Sequence, residues 1–177
     1  MSDIAEYGRA LFLITEEEHT TEQVLGDVLT ARTLFVENPD YAKLLDTPAL
    51  AKEERLSIID NALRTLDTAL TNLIKILAEK HLSYLVPKAL DAYLSLYDES
   101  RGIERVEAIT ARPLTQEQTA RLTAKLAAKT GKKIIVKNTV DPSILGGMKL
   151  RYSGTQLDGS VRTRLDGLED VLSRTVV

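Results

Sequence analysis

The chain has 177 residues, 44% of them apolar and 28% charged, which suits one domain or two small ones with a buried core. It has no cysteine, which excludes disulfides, thiolate catalysis and cysteine-ligated zinc; no apolar run approaches the ~18 residues of a membrane-spanning helix. The net charge of -3 is uneven: residues 1–104 hold 19 acidic and 10 basic side chains, residues 105–177 hold 7 and 13. That asymmetry predicts two regions with different partners.

The N-terminus carries Asp3 and Glu6 and no basic flank before an apolar stretch. It reads as neither a signal peptide nor a transit peptide, and a cytoplasmic protein is expected. Tyr7, Ala10, Leu11 and Ile14 follow at i, i+3, i+4 and i+7, one face of a helix, widened by Ile4 and Phe12. Glu16, Glu17 and Glu18 oppose the dipole of a helix C-terminus, so the first helix should end there. Thr20 or Thr21 is the expected cap of a second helix with Val24, Val28, Ala31 and Phe35 inward, stopped by Asn38-Pro39. A short helix is expected at 40–45 and another over roughly 51–64, on Leu56, Ile59 and Leu63. Asp67 should cap a helix carrying Leu70, Leu73, Ile74 and Leu77, with Leu66 as a staple. Ser83 begins the last helix of this region. Pro87 is tolerable near its start, and Leu90, Tyr93, Leu94 and Tyr97 form its apolar face up to Arg101-Gly102. Short connections predict an antiparallel bundle.

Beyond Gly102 the period changes. Residues 104–112 read as a strand stopped by Pro113, and Thr115 to Gln118 as a capping box opening a helix with Leu122 and Leu126 on its apolar face. Gly131 is its C-cap, and Lys133 to Val140 a second strand with Ile134, Val136 and Val140 on one face. Asp141-Pro142 turns the chain and Gly146-Gly147 bends it into a third strand, where Met148, Leu150 and Tyr152 alternate with Lys149 and Arg151. Ser153-Gly154 is a hairpin turn, Asp158-Gly159 ends the return strand, and Ser160 caps a final helix on Val161, Leu165, Leu168 and Leu172. The expected architecture is α+β: an N-terminal six-helix bundle (residues 1–104), then a small α/β domain of β-α-β-β-α order (residues 105–177), with one further short strand allowed.

Catalytic patterns are missing where they would have to be. Gly146-Gly147 leads into a strand rather than a helix with Lys-Ser or Lys-Thr, so it reads as a bend and not a phosphate loop. His19 and His81 lack metal-ligand spacing and read as solvated or capping residues. Glu53-Glu54, Asp98-Glu99 and Glu169-Asp170 are adjacent pairs that need not converge, and no serine lies in a GxSxG context. No catalytic, cofactor or metal residue is assigned, and the protein is not expected to be an enzyme. The basic second region allows nucleic-acid binding as a rival, but Tyr152 is its single aromatic and no clamp motif accompanies it; an acidic protein partner fits as well. In the first region, Tyr7, Ala10, Leu11 and Ile14 with Leu73, Ile74, Ile76 and Leu77 give faces broader than one bundle seam needs. They are core, or in part the walls of a groove for a partner's amphipathic helix.

Four stretches carry a family resemblance: Tyr7-Gly-Arg-Ala-Leu-Phe12, Asn72-Leu-Ile-Lys-Ile-Leu-Ala-Glu79, Val140-Asp-Pro-Ser-Ile-Leu-Gly-Gly147 and Leu157-Asp-Gly-Ser-Val-Arg-Thr-Arg-Leu165. The last two together are the specific ones. The chain resembles the delta subunit of bacterial F-type ATP synthase, the oligomycin-sensitivity-conferring protein family, over nearly its whole length. It departs at Lys80-His81-Leu82 after the middle stretch and in a more basic strand at Met148 to Arg151. The resemblance implies a non-catalytic stator subunit at the cytoplasmic face of the plasma membrane, touching the membrane only through its complex. Its bundle would bind N-terminal segments of alpha subunits between the first and fifth helices, pointing to Tyr7, Ala10, Leu11, Leu73, Ile76 and Leu77. Its second domain would bind the C-terminal ends of b subunits, for which Lys149, Arg151, Arg162 and Arg164 are the candidates. No cofactor and no nucleic acid are implied.

Overall fold

Six helices run through the first hundred residues of the computed structural model, which describes residues 4–144, 146–152 and 155–158. They are α1 (Ile4–Glu17), α2 (Thr21–Glu37), α3 (Pro39–Asp46), α4 (Lys52–Leu63), α5 (Thr68–Glu79) and α6 (Val86–Ser100), the last entered through a 3-10 turn at Ser83–Leu85. The chain divides into two units, Met1–Tyr97 and Asp98–Val177.

In the helical unit the 3.6-residue stripes turn inward as their spacing requires. Val24, Val28, Ala31 and Phe35 of α2, Ile59 and Leu63 of α4, Leu70, Ile74 and Leu77 of α5, and Ala89, Leu90 and Tyr93 of α6 are all buried. The helix ends follow local chemistry. The Asp67 carboxylate accepts from the amides of Ala69 and Leu70 and caps α5. Pro39 begins α3, where a missing amide hydrogen costs nothing. Asp46, at the end of α3, accepts from the amides of Ser83 and Tyr84 and so fixes the start of the 3-10 turn. Thr20 departs from expectation: it precedes α2, but its φ/ψ of -104/1 gives no capping bond, and its buried hydroxyl has no partner. His19 and His81 both have φ of 56 and terminate α1 and α5 in the left-handed region, where a polar side chain is tolerated better than a branched one.

One glycine is required by packing. A Cβ on Gly8 of α1 would lie 2.0 Å from the Ala89 carbonyl oxygen and 2.9 Å from the Tyr93 nitrogen of α6. The two helices therefore touch backbone to backbone. Beside this crossing the Phe12 ring meets Tyr93 edge to face at 5.8 Å, and the buried Tyr93 hydroxyl donates to the Thr21 carbonyl at 3.3 Å.

The second unit holds β1 (Ile103–Thr110), α7 (Gln116–Thr130), β2 (Lys133–Val140), β3 (Met148–Tyr152) and β4 (Thr155–Asp158). β1 and β2 are parallel across the α7 crossover, β3 is antiparallel to β1, and β4 to β3, giving the order β2-β1-β3-β4. The return strand makes the sheet four-stranded. The capping box forms in full: Gln118 N–H donates to the Thr115 hydroxyl and Thr115 N–H to the Gln118 side chain. Gly131 ends α7 at φ 70. Val106, Ala108 and Thr110 of β1 and Ile134 of β2 are buried on one face. Val140, expected on that face, is 42% exposed at the strand end. The polar Asn138 shares the stripe: its amide donates to the Ala108 carbonyl and the Thr110 hydroxyl at 2.8 Å each, while its carbonyl accepts from Leu114 N–H at the entry to α7. Gly146 and Gly147 have φ of 149 and 83, the bend into β3 that their side-chain-free backbone permits. The expected final helix, with Ser160, Arg162 and Arg164, lies outside the described residues, as does the Ser153-Gly154 turn.

Candidate functional site: a groove between the first and fifth helices

α1 and α5 lie side by side with their chain directions opposed, so Tyr7 meets the C-terminal end of α5 and Ile14 its N-terminal end. Between them runs a groove of about 230 Å³ lined by Tyr7, Ala10, Leu11, Ile14, Ala69, Asn72, Leu73 and Ile76. Its walls are apolar except for Asn72 and the hydroxyl of Tyr7. Ile14 is 44% and Ile76 47% exposed, so a pair of branched aliphatic side chains faces solvent across a narrow cleft. Leu11 and Leu73 are buried beneath them as the floor. At one end the Lys80 ammonium donates to the Tyr7 hydroxyl at 2.6 Å and lies 5.3 Å from the centre of its ring.

Five of the six groove residues expected from the sequence, Tyr7, Ala10, Leu11, Leu73 and Ile76, come together here. Leu77 does not. It is fully buried, because on α5 it follows Leu70 and Ile74 down the core-facing stripe, about 100° away from Ile76. Sequence reading did not assign Ala69 and Asn72 to this site. Ala69 falls at i-4 from Leu73 and i-7 from Ile76, and Asn72 at i-4 from Ile76, a signal that periodicity could have supplied.

The basic residues of the sheet are held differently. Arg151 faces Glu107 across the β1–β3 pair and donates to its carboxylate at 3.1 Å, so it is part of an ion pair rather than a cation reserved for a partner. Lys149 is half-buried, opposite Ile109 on one side and Asp158 on the other. Arg105 makes a two-pronged bridge to Asp98, and Lys132 pairs with Glu104, whose hydrogen bond holds the lysine's pKa above its usual range. Near the turn into β3, hydrogen bonds from Ser143 hold the Asp141 carboxyl below the ordinary aspartate range. The excess positive charge of this region is thus partly neutralised within the sheet. Among the described residues no three His, Cys, Asp or Glu side chains are grouped to hold a metal ion, and no helix is long and apolar enough to cross a membrane.

The described residues thus form a helical bundle with an open apolar groove, followed by a small mixed sheet. A chain of the Toxoplasma gondii mitochondrial ATP synthase hexamer has the same fold: the TM-score is 0.76 over 97% of this chain and 98% of that one, at 24% identity. Residues 4–172 match the model of the ATP synthase delta (OSCP) subunit, and the chain belongs to that family. It is 32% identical to the ATP synthase subunit delta of a Geobacillus species, over 92% of both chains, and 32% identical to that of Beijerinckia indica, over 92% of this chain and 87% of the other. The family is a non-catalytic component of the enzyme's peripheral stalk. These relatives are all ATP synthase subunits and lend nothing to the nucleic-acid reading.

Proposed function

We propose that this chain ties the catalytic head of a bacterial ATP synthase to its peripheral stalk. Residues 1–104 hold N-terminal segments of alpha subunits, and residues 105–177 hold the C-terminal ends of b subunits. The assembly sits at the cytoplasmic face of the plasma membrane, and this chain meets the membrane only through its partners. The observation that carries the reading is the α1–α5 groove, where Ile14 and Ile76 stand exposed over a floor of Leu11 and Leu73. A monomer gains nothing by holding such a cleft open. An amphipathic helix laid into it would bury both isoleucines at about 25 cal/mol per Å² of apolar surface.

The mechanical argument is direct. The central shaft exerts torque on the head, and an untethered head would turn with it, so that ion flow would no longer drive synthesis. The tether needs contacts that outlast many turnovers. A standard-size interface reaches nanomolar affinity, about -12 kcal/mol, which is long-lived on that scale. The surplus of basic residues in 105–177 suits an acidic stalk end, with Lys149, Arg151, Arg162 and Arg164 as the candidate contacts. Arg151 would have to exchange its Glu107 partner to take part.

Titration of the full chain with a synthetic peptide of the alpha subunit's N-terminus tests the head contact. Saturable binding with amide shifts at Tyr7, Ile14 and Ile76 is the expected result. No binding at about 50 micromolar peptide would remove the groove from the function.

A further inference from the structure

The corner where α6 hands over to β1 is held by charges and hydrogen bonds around an open glycine. The second unit begins at Asp98, inside α6, so the last turn of this helix belongs with the sheet. That turn carries Asp98 and Glu99 and no basic residue, although carboxylates at a helix C-terminus oppose its dipole. The offset comes from the strands that follow. Arg105 of β1 reaches back over the Arg101-Gly102 turn and donates to both oxygens of Asp98, whose side chain is only 14% exposed. Lys132, just before β2, pairs with Glu104 at 2.8 Å, and Glu99 adds a weaker attraction to the same lysine. Gly102, at φ 59, donates to the Glu99 carbonyl at 3.1 Å, and its own carbonyl accepts from Lys133 N–H at 2.9 Å. A Cβ on this glycine would find nothing within 4 Å. The turn therefore has no close packing at its tip, and the polar contacts across it must hold its shape.

We infer that Arg105 and Asp98 form a latch that closes the Arg101-Gly102 turn and makes the last turn of α6 one body with the sheet. A glycine in the left-handed region between a helix and a strand is otherwise a ready place to bend. The chain passes from one unit to the other once, through α6, and a component of a peripheral stalk has to pass load along that path. With the latch shut, a load on the sheet enters α6 through Arg105 and Asp98 instead of being taken up as bending at Gly102. Bending then falls to the stretch of α6 ahead of Asp98. The two-pronged contact is what calls for arginine: a lysine would keep the charge and lose the paired geometry. Arg105 is in this sense a positioning residue. The inference uses the second unit alone and stands whichever partners the groove and the sheet hold.

Amide hydrogen exchange on the full chain tests it, read at Gly102 and Lys133, whose hydrogen bonds break when the turn opens. Arg105→Ala should speed exchange at both by about fivefold, the size expected of an ion pair with one partner half exposed. Ala108 and Val136, paired deeper in the sheet, should keep the parent rate. Arg105→Lys should fall between the parent and Arg105→Ala. Asp98→Asn should match Arg105→Ala, and the double variant should exchange no faster than either single one, because the two substitutions remove the same contact. Unchanged exchange at Gly102 in Arg105→Ala would overturn the latch, and so would additive effects in the double variant. An equal rise at Ala108 and Val136 would overturn it as well, by showing that Arg105 supports the sheet as a whole and not the turn.

Discussion

Gly8 shows how much one side chain's absence can decide. The approach of α1 to α6 leaves no room for a methyl group, since the Ala89 carbonyl oxygen stands 2.0 Å from where the carbon would be. Gly8→Ala raises intrinsic helix propensity, yet it is expected to destabilise the helical unit by about 3 kcal/mol, because backbone on the far side cannot yield as a side chain would. Urea unfolding followed by far-UV circular dichroism measures it; a variant as stable as the parent would show that the two helices separate freely. Tyr41 makes a different argument. Its ring meets Phe35 edge to face at 5.3 Å, but its hydroxyl is buried without a hydrogen-bond partner, and burial pushes the phenol pKa up to about 12. The folded form thus keeps its proton where the unfolded chain has released it. The sign follows: this contribution is intact below pH 10 and is lost as pH rises towards 12. Tyr41→Phe keeps the ring contact and removes the titrating group. Its melting temperature should fall less steeply than the parent's between those pH values, and identical slopes would refute the assignment.

At the scale of the element, α5 presents two different faces, one to the core and one to the groove. Leu70, Ile74 and Leu77 are fully buried, whereas Ile76 is 47% exposed at the groove. Neighbouring residues should therefore answer oppositely to mutation. Leu77→Ala is expected to cost about 3 kcal/mol of stability through the cavity it leaves. Ile76→Glu should change stability by about 0.5 kcal/mol or less and, under the proposed function, weaken the alpha peptide by tenfold or more, since it places a charge on the proposed docking surface. Calorimetric unfolding and peptide titration on the same two variants separate the effects. Loss of stability in Ile76→Glu would place this residue in the core instead. α7 offers a contrast, with both ends specified locally by the Thr115–Gln118 box and Gly131, and none of its own residues buried.

At the scale of the molecule, charge and apolar surface are divided between the two ends of the chain. The groove in residues 1–104 is mainly apolar, while the surplus of residues 105–177 is basic. Raising ionic strength should slow association with a b-subunit stalk fragment far more than association with the alpha peptide, because long-range steering is screened within about 8 Å at physiological salt and apolar burial is not. Stopped-flow rates across a salt series decide this. Equal slopes at the two ends would mean that the basic residues serve the sheet alone, as Arg151 does with Glu107.

What the sequence determined by itself was local or periodic. The helix stripes, the Asp67 cap, the Thr115–Gln118 box, the Gly131 terminator and the change of period after Gly102 each depend on residues within a turn or two of one another, and each was legible for that reason. The family signature was legible too, through the Gly146-Gly147 and Asp158-Gly159 stretches. What tertiary structure alone decided was which of two adjacent apolar residues faces inward and which charges are already taken. Leu77 and Ile76 are equally apolar, and only the packing of α5 on its neighbours sends one to the core and leaves the other at the groove. Arg151 reads as a free cation until the antiparallel register of β1 and β3 brings Glu107, 44 residues away in the chain, to its side. Lys80 reads as a helix-end lysine until the opposed run of α1 and α5 sets it over Tyr7. Contacts between residues far apart in sequence are a property of the fold, and no local period encodes them.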